Sequence, residues 1–174
     1  MNWKNVEIKA HCTALEPLEK ILLDKGADYK GLDHQIDTYF QVPNGRLKLR
    51  EGTIECALIH YNRANQLTAK RSEIHYYKPT VRAHSTDLKR TLEAALGIKV
   101  IVDKQRHIFF IDNVKFHLDQ VQELGTFVEI EAIDQEGIYT EEALQVQCLH
   151  YQSLLGIEPK DLIAYSYSDL LLER

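Results

Sequence analysis

One stretch, Arg46-Leu47-Lys48-Leu49-Arg50, limits the fold more than any other. Its residues alternate strictly, so as a strand it has one wholly cationic face and one wholly apolar face. Two more stretches repeat the alternation with acids. Phe127-Val128-Glu129-Ile130-Glu131-Ala132 sets both carboxylates opposite Val128, Ile130 and Ala132, and Val6-Glu7-Ile8-Lys9-Ala10 echoes it near the start. If these two strands lie side by side with their polar faces turned the same way, three carboxylates and Lys9 converge. Hard divalent cations take carboxylate oxygens, and a nearby lysine suits phosphate. The junction is a candidate metal-assisted phosphate site.

Taken in order, residues 4–12 read as a strand and 15–25 as a helix, with Pro17 in its first turn and Gly26 as its stop. Strands over 36–42 and 46–50 meet at Asn44-Gly45, a signal for a tight hairpin. Strands at 54–61 and 68–77 flank a polar loop at 62–66. Thr86 or Asp87 caps a helix running to Leu96. Three more strands follow: 100–110, 115–119 and the stretch after Gly125. Thr140 starts a helix ended by Gly156, and Pro159 opens a last one containing Leu162, Ile163, Leu170 and Leu171. No linker or low-complexity segment divides the chain, which reads as one α+β domain over residues 1–174 with about eight strands and four helices.

A lone alternating strand ordinarily turns its polar face to solvent. Here four helices carry apolar stripes, and the apolar sheet faces are their natural partners. The charged faces are then left inside an eight-stranded antiparallel barrel or tunnel, a size that holds one small ligand. Parity places Lys9, Arg46, Lys48, Arg50, Lys104, Arg106 and Lys115 in the lumen, with Glu7, Asp119, Glu129 and Glu131. Unpaired, each buried charge costs several kcal/mol, roughly. A polyanion with bridging Mg²⁺ or Mn²⁺ neutralises both sets. The alternative is a surface ladder of ion pairs, which contributes little.

Composition excludes several classes. The net charge of −5 argues against a broad nucleic-acid surface. Three scattered cysteines fit neither a disulfide framework nor a cysteine zinc site. No apolar signal segment and no run of about 18 apolar residues occurs, so no membrane span and a cytoplasmic location are expected. No Gly-x-x-x-x-Gly-Lys loop or His-Glu-x-x-His pair is present. His117 shares parity with Lys115 and Asp119 and is a candidate lumen hydrogen-bonding group. Tyr39 and the tyrosines at 76, 77, 165 and 167 read as packing residues.

The ordered set of motifs resembles the CYTH proteins, or triphosphate tunnel metalloenzymes. It comprises Asn5-Val6-Glu7-Ile8-Lys9, Asp37-Thr38-Tyr39-Phe40, Gly45-Arg46-Leu47-Lys48-Leu49-Arg50-Glu51 and Lys70-Arg71-Ser72. Lys104-Gln105-Arg106, His117-Leu118-Asp119, Leu124-Gly125 with Phe127 to Glu131, and Ser166-Tyr167-Ser168-Asp169-Leu170-Leu171 complete it. The closing segment is most similar to the class IV adenylyl cyclase-like branch. The resemblance implies metal ligation by Glu7, Glu129 and Glu131, with Asp119 near the metal. It implies triphosphate binding by Lys9, Lys48, Arg50, Lys104, Arg106 and Lys115, which Arg46 joins from the same cationic strand. Glu7, Lys9, Glu129 and Glu131 are the catalytic candidates. Two positions depart from the family pattern: Asn5 stands where it has glutamate, and Lys115 where arginine is usual.

The implied activity is conversion of ATP to cyclic AMP and pyrophosphate. The alternatives are hydrolysis of inorganic or thiamine triphosphate, and non-catalytic binding of a nucleotide or polyphosphate, which the loss of charge at Asn5 favours. The expected partner is a small triphosphate, not nucleic acid or membrane; a homodimer is left open.

Overall fold

The computed structural model describes residues 4–62, 70–71, 73–79 and 84–174. In chain order the elements are β1 (Lys4–His11), α1 (Glu16–Asp24), β2 (Asp28–Phe40), β3 (Arg46–Gly52), β4 (Cys56–Asn62), β5 (Lys70–Arg71) and β6 (Glu73–Tyr77). Then come α2 (His84–Leu96), β7 (Ile98–Ile111), β8 (Val114–Val121), β9 (Gly125–Asp134), α3 (Glu141–Leu154), a 3₁₀ turn (Pro159–Asp161) and α4 (Tyr167–Leu172). The expected loop at 62–66 lies outside the described residues beyond Asn62, as do Thr68 and Ser72.

The strands form one antiparallel sheet ordered β5-β1-β9-β8-β7-β2-β3-β4-β6. Its outermost segments, β5 and β6, are sequence neighbours, and together they take the place of the strand expected over 68–77. The sheet therefore curls into a half-barrel of eight strands, β5 and β6 counted together, with α1 and α3 packed on its outer face and α4 against its inner side. The first strand pairs with the last, setting Glu7 opposite Glu131 and Lys9 opposite Glu129.

Helix positions explain which face turns inward. Val6, Ile8 and Ala10 of β1, Phe116 and Leu118 of β8, and Val128 and Ile130 of β9 share one buried cluster with Leu18 and Leu22 of α1 and Leu144 and Cys148 of α3. Burying each large aliphatic or phenyl group stabilises the fold by ~1.5–3 kcal/mol, so this outer face dictates the orientation of three strands. A second cluster joins Tyr39, Val102, Val121 and Phe127 to Tyr167 of α4 on the opposite, inward side.

Two expectations are corrected. The β2–β3 connection spans Gln41 to Gly45, longer than a two-residue hairpin, although Gly45 does take the positive φ of 65° that such turns need. The single helix expected after Pro159 is split. Leu162 bridges to Ala10, and the Ile163 amide donates to the Lys9 carbonyl at 2.9 Å. Ser166 and Asp169 then form a reciprocal capping box that starts α4 afresh.

Candidate active site

The inward faces enclose a cavity of about 1000 Å³. Cross-strand register assembles its cationic side. Asp37 on β2 lies opposite Arg50 on β3, and Tyr39 lies opposite Lys48. The buried Asp37 carboxylate accepts from Lys48 at 2.8 Å, from Arg50 at 2.8 and 2.9 Å, and from Lys104 of β7 at 2.9 Å. Burial alone would raise its pKa, but Arg50, Lys104 and Lys48 hold it well below the carboxylate range. Burial also acts on Lys104, only 2% exposed. Together with the Arg50, Arg106 and Lys48 charges it outweighs Asp37 and pushes the ammonium down to about 7.

A turn supplies the next carboxylate. Asp33 accepts from the Thr53 hydroxyl at 2.9 Å and from the amides of Ile54 and Glu55 at 2.7 and 3.0 Å. A Cβ on Gly52 would stand 2.4 Å from the Glu55 carbonyl and 2.7 Å from Asp33, so the turn requires glycine there. Shaped in this way, the turn presents Glu55 to Arg50 at 2.8 Å and to Lys115 of β8 at 2.6 Å. Against the effect of burial, those two cations hold Glu55 far below the usual carboxylate range.

Across the cavity, Arg106 makes a bidentate pair with Asp119 at 2.6 and 2.5 Å and a third bond to Glu129 at 2.8 Å. The Tyr167 hydroxyl donates to Asp119 at 2.7 Å, which locks the guanidinium plane from behind. Lys9 bonds Glu129 at 3.0 Å and sits 3.9 Å over the Tyr167 ring. His117 Nδ1 lies 3.0 Å from Glu129 Oε2. Burial, with Arg106 and Lys115 beside it, pushes the imidazole down to about 3, so it is neutral.

At the β1–β9 junction the Asn5 amide, 4% exposed, donates to Glu131 at 2.6 Å, and its own Oδ1 is buried without a partner among the described residues. Burial, reinforced by Glu7, raises the Glu131 pKa, against the pull of Lys115 and the Asn5 bond. Like charges directly opposite on neighbouring strands are unfavourable, so Glu7 and Glu131 favour a cation between them. Among the described residues no three His, Cys, Asp or Glu side chains are gathered as a metal cluster. The orphaned Asn5 oxygen makes up the donor set: two carboxylates and an amide oxygen suit a hard divalent ion.

The candidates therefore separate by position. Glu7, Lys9, Lys48, Arg50, Lys104, Arg106, Lys115, Glu129 and Glu131 line the cavity. Asp119 lies behind Arg106, off the cavity wall. Arg46 turns to Asp169 at 2.7 Å and lines a smaller cavity of about 290 Å³. Sequence reasoning missed Asp37 and Glu55 as site residues. For Asp37 the signal was strand parity, since it shares a face with Tyr39, whereas Glu55 sits on the turn before β4, where alternation fixes no facing. Of the tyrosines read as packing groups, Tyr39 and Tyr167 do pack in the inward cluster, and they and Tyr76 also line the cavity. Ile59, Tyr61, Ile74 and Tyr76 give the cavity an apolar wall on β4 and β6.

The profile of the CYTH domain family matches residues 4–167. None of the curated proteins matches the chain in sequence. Among solved structures, a Pyrococcus horikoshii protein superposes with a TM-score of 0.79 at 21% identity, over 95% of this chain and 98% of its own. A presumed adenylate cyclase from Vibrio parahaemolyticus gives 0.75 at 17% identity, over 99% of each chain. A presumed adenylyl cyclase from Hippeastrum with a dominant triphosphatase activity gives 0.64 at 12% identity, over 98% of this chain and 94% of its own. At these identities the likeness is one of fold.

Proposed function

The chain belongs to the CYTH domain family, and on that premise we propose that it is a divalent-metal-dependent enzyme acting on a triphosphate, with ATP cyclisation as the reaction. The observation that carries this reading is the set of inward cations held by buried carboxylates around a cavity of about 1000 Å³. Lys48, Arg50 and Lys104 grip phosphate oxygens from one side, and Lys9, Arg106 and Lys115 from the other. Because each already has a carboxylate partner, the cradle stands ready before ligand arrives, and binding exchanges one anion for another. A Mg²⁺ or Mn²⁺ ion held by Glu7, Glu131 and the Asn5 amide oxygen, with Glu129 beside them, would neutralise charge building on the phosphoryl oxygens. The apolar wall on β4 and β6 gives room for an organic group, which a bare polyphosphate would not need.

In cyclisation the ribose 3′-hydroxyl attacks the α-phosphorus and pyrophosphate leaves. Hydrolysis at the terminal phosphorus is the second reading, favoured by the activity described for the Hippeastrum neighbour. Incubation with ATP and with tripolyphosphate, each with Mg²⁺ or Mn²⁺, decides between them. Cyclic AMP with pyrophosphate means a cyclase, orthophosphate means a hydrolase, and tight binding without product means a binder. Among the described residues no helix is long and apolar enough to cross a membrane; a cytoplasmic location belongs to the proposal.

A further inference from the structure

Among the described residues four tyrosines line the cavity: Tyr39, Tyr61, Tyr76 and Tyr167. Three of them are engaged. Tyr39 and Tyr61 are buried with their hydroxyls 3.5 Å apart, and Tyr167 bonds Asp119 and packs on Phe127. Tyr76 differs, because it lines the cavity and is still 44% exposed. An aromatic ring left in water is stabilised when a flat apolar group covers it. Register fixes where that ring stands. Ile59 on β4 lies opposite Lys48 on β3 and opposite Tyr76 on β6, so the three form one row on the inward face. Neighbouring strands are about 4.8 Å apart, which sets the Tyr76 backbone roughly 10 Å from that of Lys48. A phosphate held by Lys48, a pentose over Ile59 and a base placed on Tyr76 bridge that span.

We propose that Tyr76 stacks on the organic group of the ligand and that this group is an uncharged nucleobase, with the triphosphate reading above as the premise. Lys78 decides the charge. Its Nζ sits 5.5 Å from the centre of the Tyr76 ring and lines the same cavity. Held beside the ring, that ammonium repels a cationic group such as the thiazolium of thiamine triphosphate, whereas a neutral base meets no such penalty. Stacking requires only a π-face, so Tyr76 separates nucleotides from bare polyphosphate without choosing among the bases.

Calorimetry on the full chain without added metal, so that no ligand turns over, reads the affinities of ATP, GTP and tripolyphosphate for the wild type, Tyr76→Ala and Tyr76→Phe. The expected result is a loss of about 5- to 150-fold for ATP and GTP in Tyr76→Ala, with tripolyphosphate changed less than about 2-fold and both nucleotides recovered in Tyr76→Phe. Thiamine triphosphate should bind the wild type more weakly than ATP, and Lys78→Met should narrow that gap. Nucleotide affinity unchanged in Tyr76→Ala, or an equal loss for ATP and tripolyphosphate, overturns the stacking role and leaves the triphosphate reading standing. Thiamine triphosphate bound as tightly as ATP, or a gap unmoved by Lys78→Met, overturns the choice of an uncharged base. A wild-type protein that binds none of these ligands, with or without Mn²⁺, removes the triphosphate reading and this inference with it.

Discussion

Asp37 and Arg50 face each other across β2 and β3 and share two hydrogen bonds, of 2.8 and 2.9 Å. The same carboxylate also receives Lys48 and Lys104, so one buried anion stands among three cations. Without a bound polyanion, Asp37 is the main counter-charge for that side of the cavity. Removing one partner of a buried ion pair costs about 3–5 kcal/mol, because the other charge is left uncompensated. Asp37→Asn should therefore lower unfolding free energy by about that amount in urea titrations, and tripolyphosphate should restore part of the loss. Stability unchanged by the substitution would deny Asp37 its role as the hub.

Arg50 and Glu131 stand at different points of the cavity, so their ligands can be dissected. Arg50→Ala removes a charge-assisted donor and should weaken tripolyphosphate binding roughly 10- to 100-fold, with little change in Mn²⁺ affinity. Glu131→Gln should do the reverse. Calorimetry with each ligand alone reads both. If neither variant alters either affinity, the cavity is not the binding site.

Asn5 bonds Glu131 where the family pattern has glutamate. Asn5→Glu would replace that bond with repulsion among three carboxylates. Metal-free protein should be less stable, and Mn²⁺ should bind about 10-fold tighter, a difference of about 1.4 kcal/mol. Calorimetric titration with Mn²⁺ checks this, and equal affinities would place Asn5 outside the metal's reach.

Lys104 makes ligand binding depend on pH. Its folded value of about 7 lies below the ordinary 10.5. Between these values the unfolded chain holds a proton that the folded chain lacks, so this group's contribution to stability rises with pH across that window. It reaches its least favourable level below about 7, where the buried ammonium is charged. A bound polyanion favours that charged form, so tripolyphosphate binding above pH 7 should take up a proton, and affinity should fall by as much as about 10-fold per pH unit. Calorimetry in two buffers of different ionisation enthalpy measures the uptake. Lys104→Met should abolish it, and uptake unchanged in that variant would assign the proton to another group.

The alternation at Arg46 to Arg50, Glu7 to Lys9 and Glu129 to Glu131 determined, from sequence alone, which side chains share a strand face. The apolar stripes of α1 and α3 then required the opposite faces to point outward. Alternation is a local property with a period of two, so it survives without knowledge of the fold. Which charge meets which was decided only by the tertiary structure. Lys104 and Asp37 lie 67 positions apart, and Lys115 and Glu55 lie 60 apart. These pairs depend on sheet order, register and curvature, none of which periodicity encodes. Arg46 shows the limit most clearly. It shares parity with Lys48 and Arg50, yet at the end of β3 it turns to Asp169 of α4, because that helix brings a carboxylate within 2.7 Å.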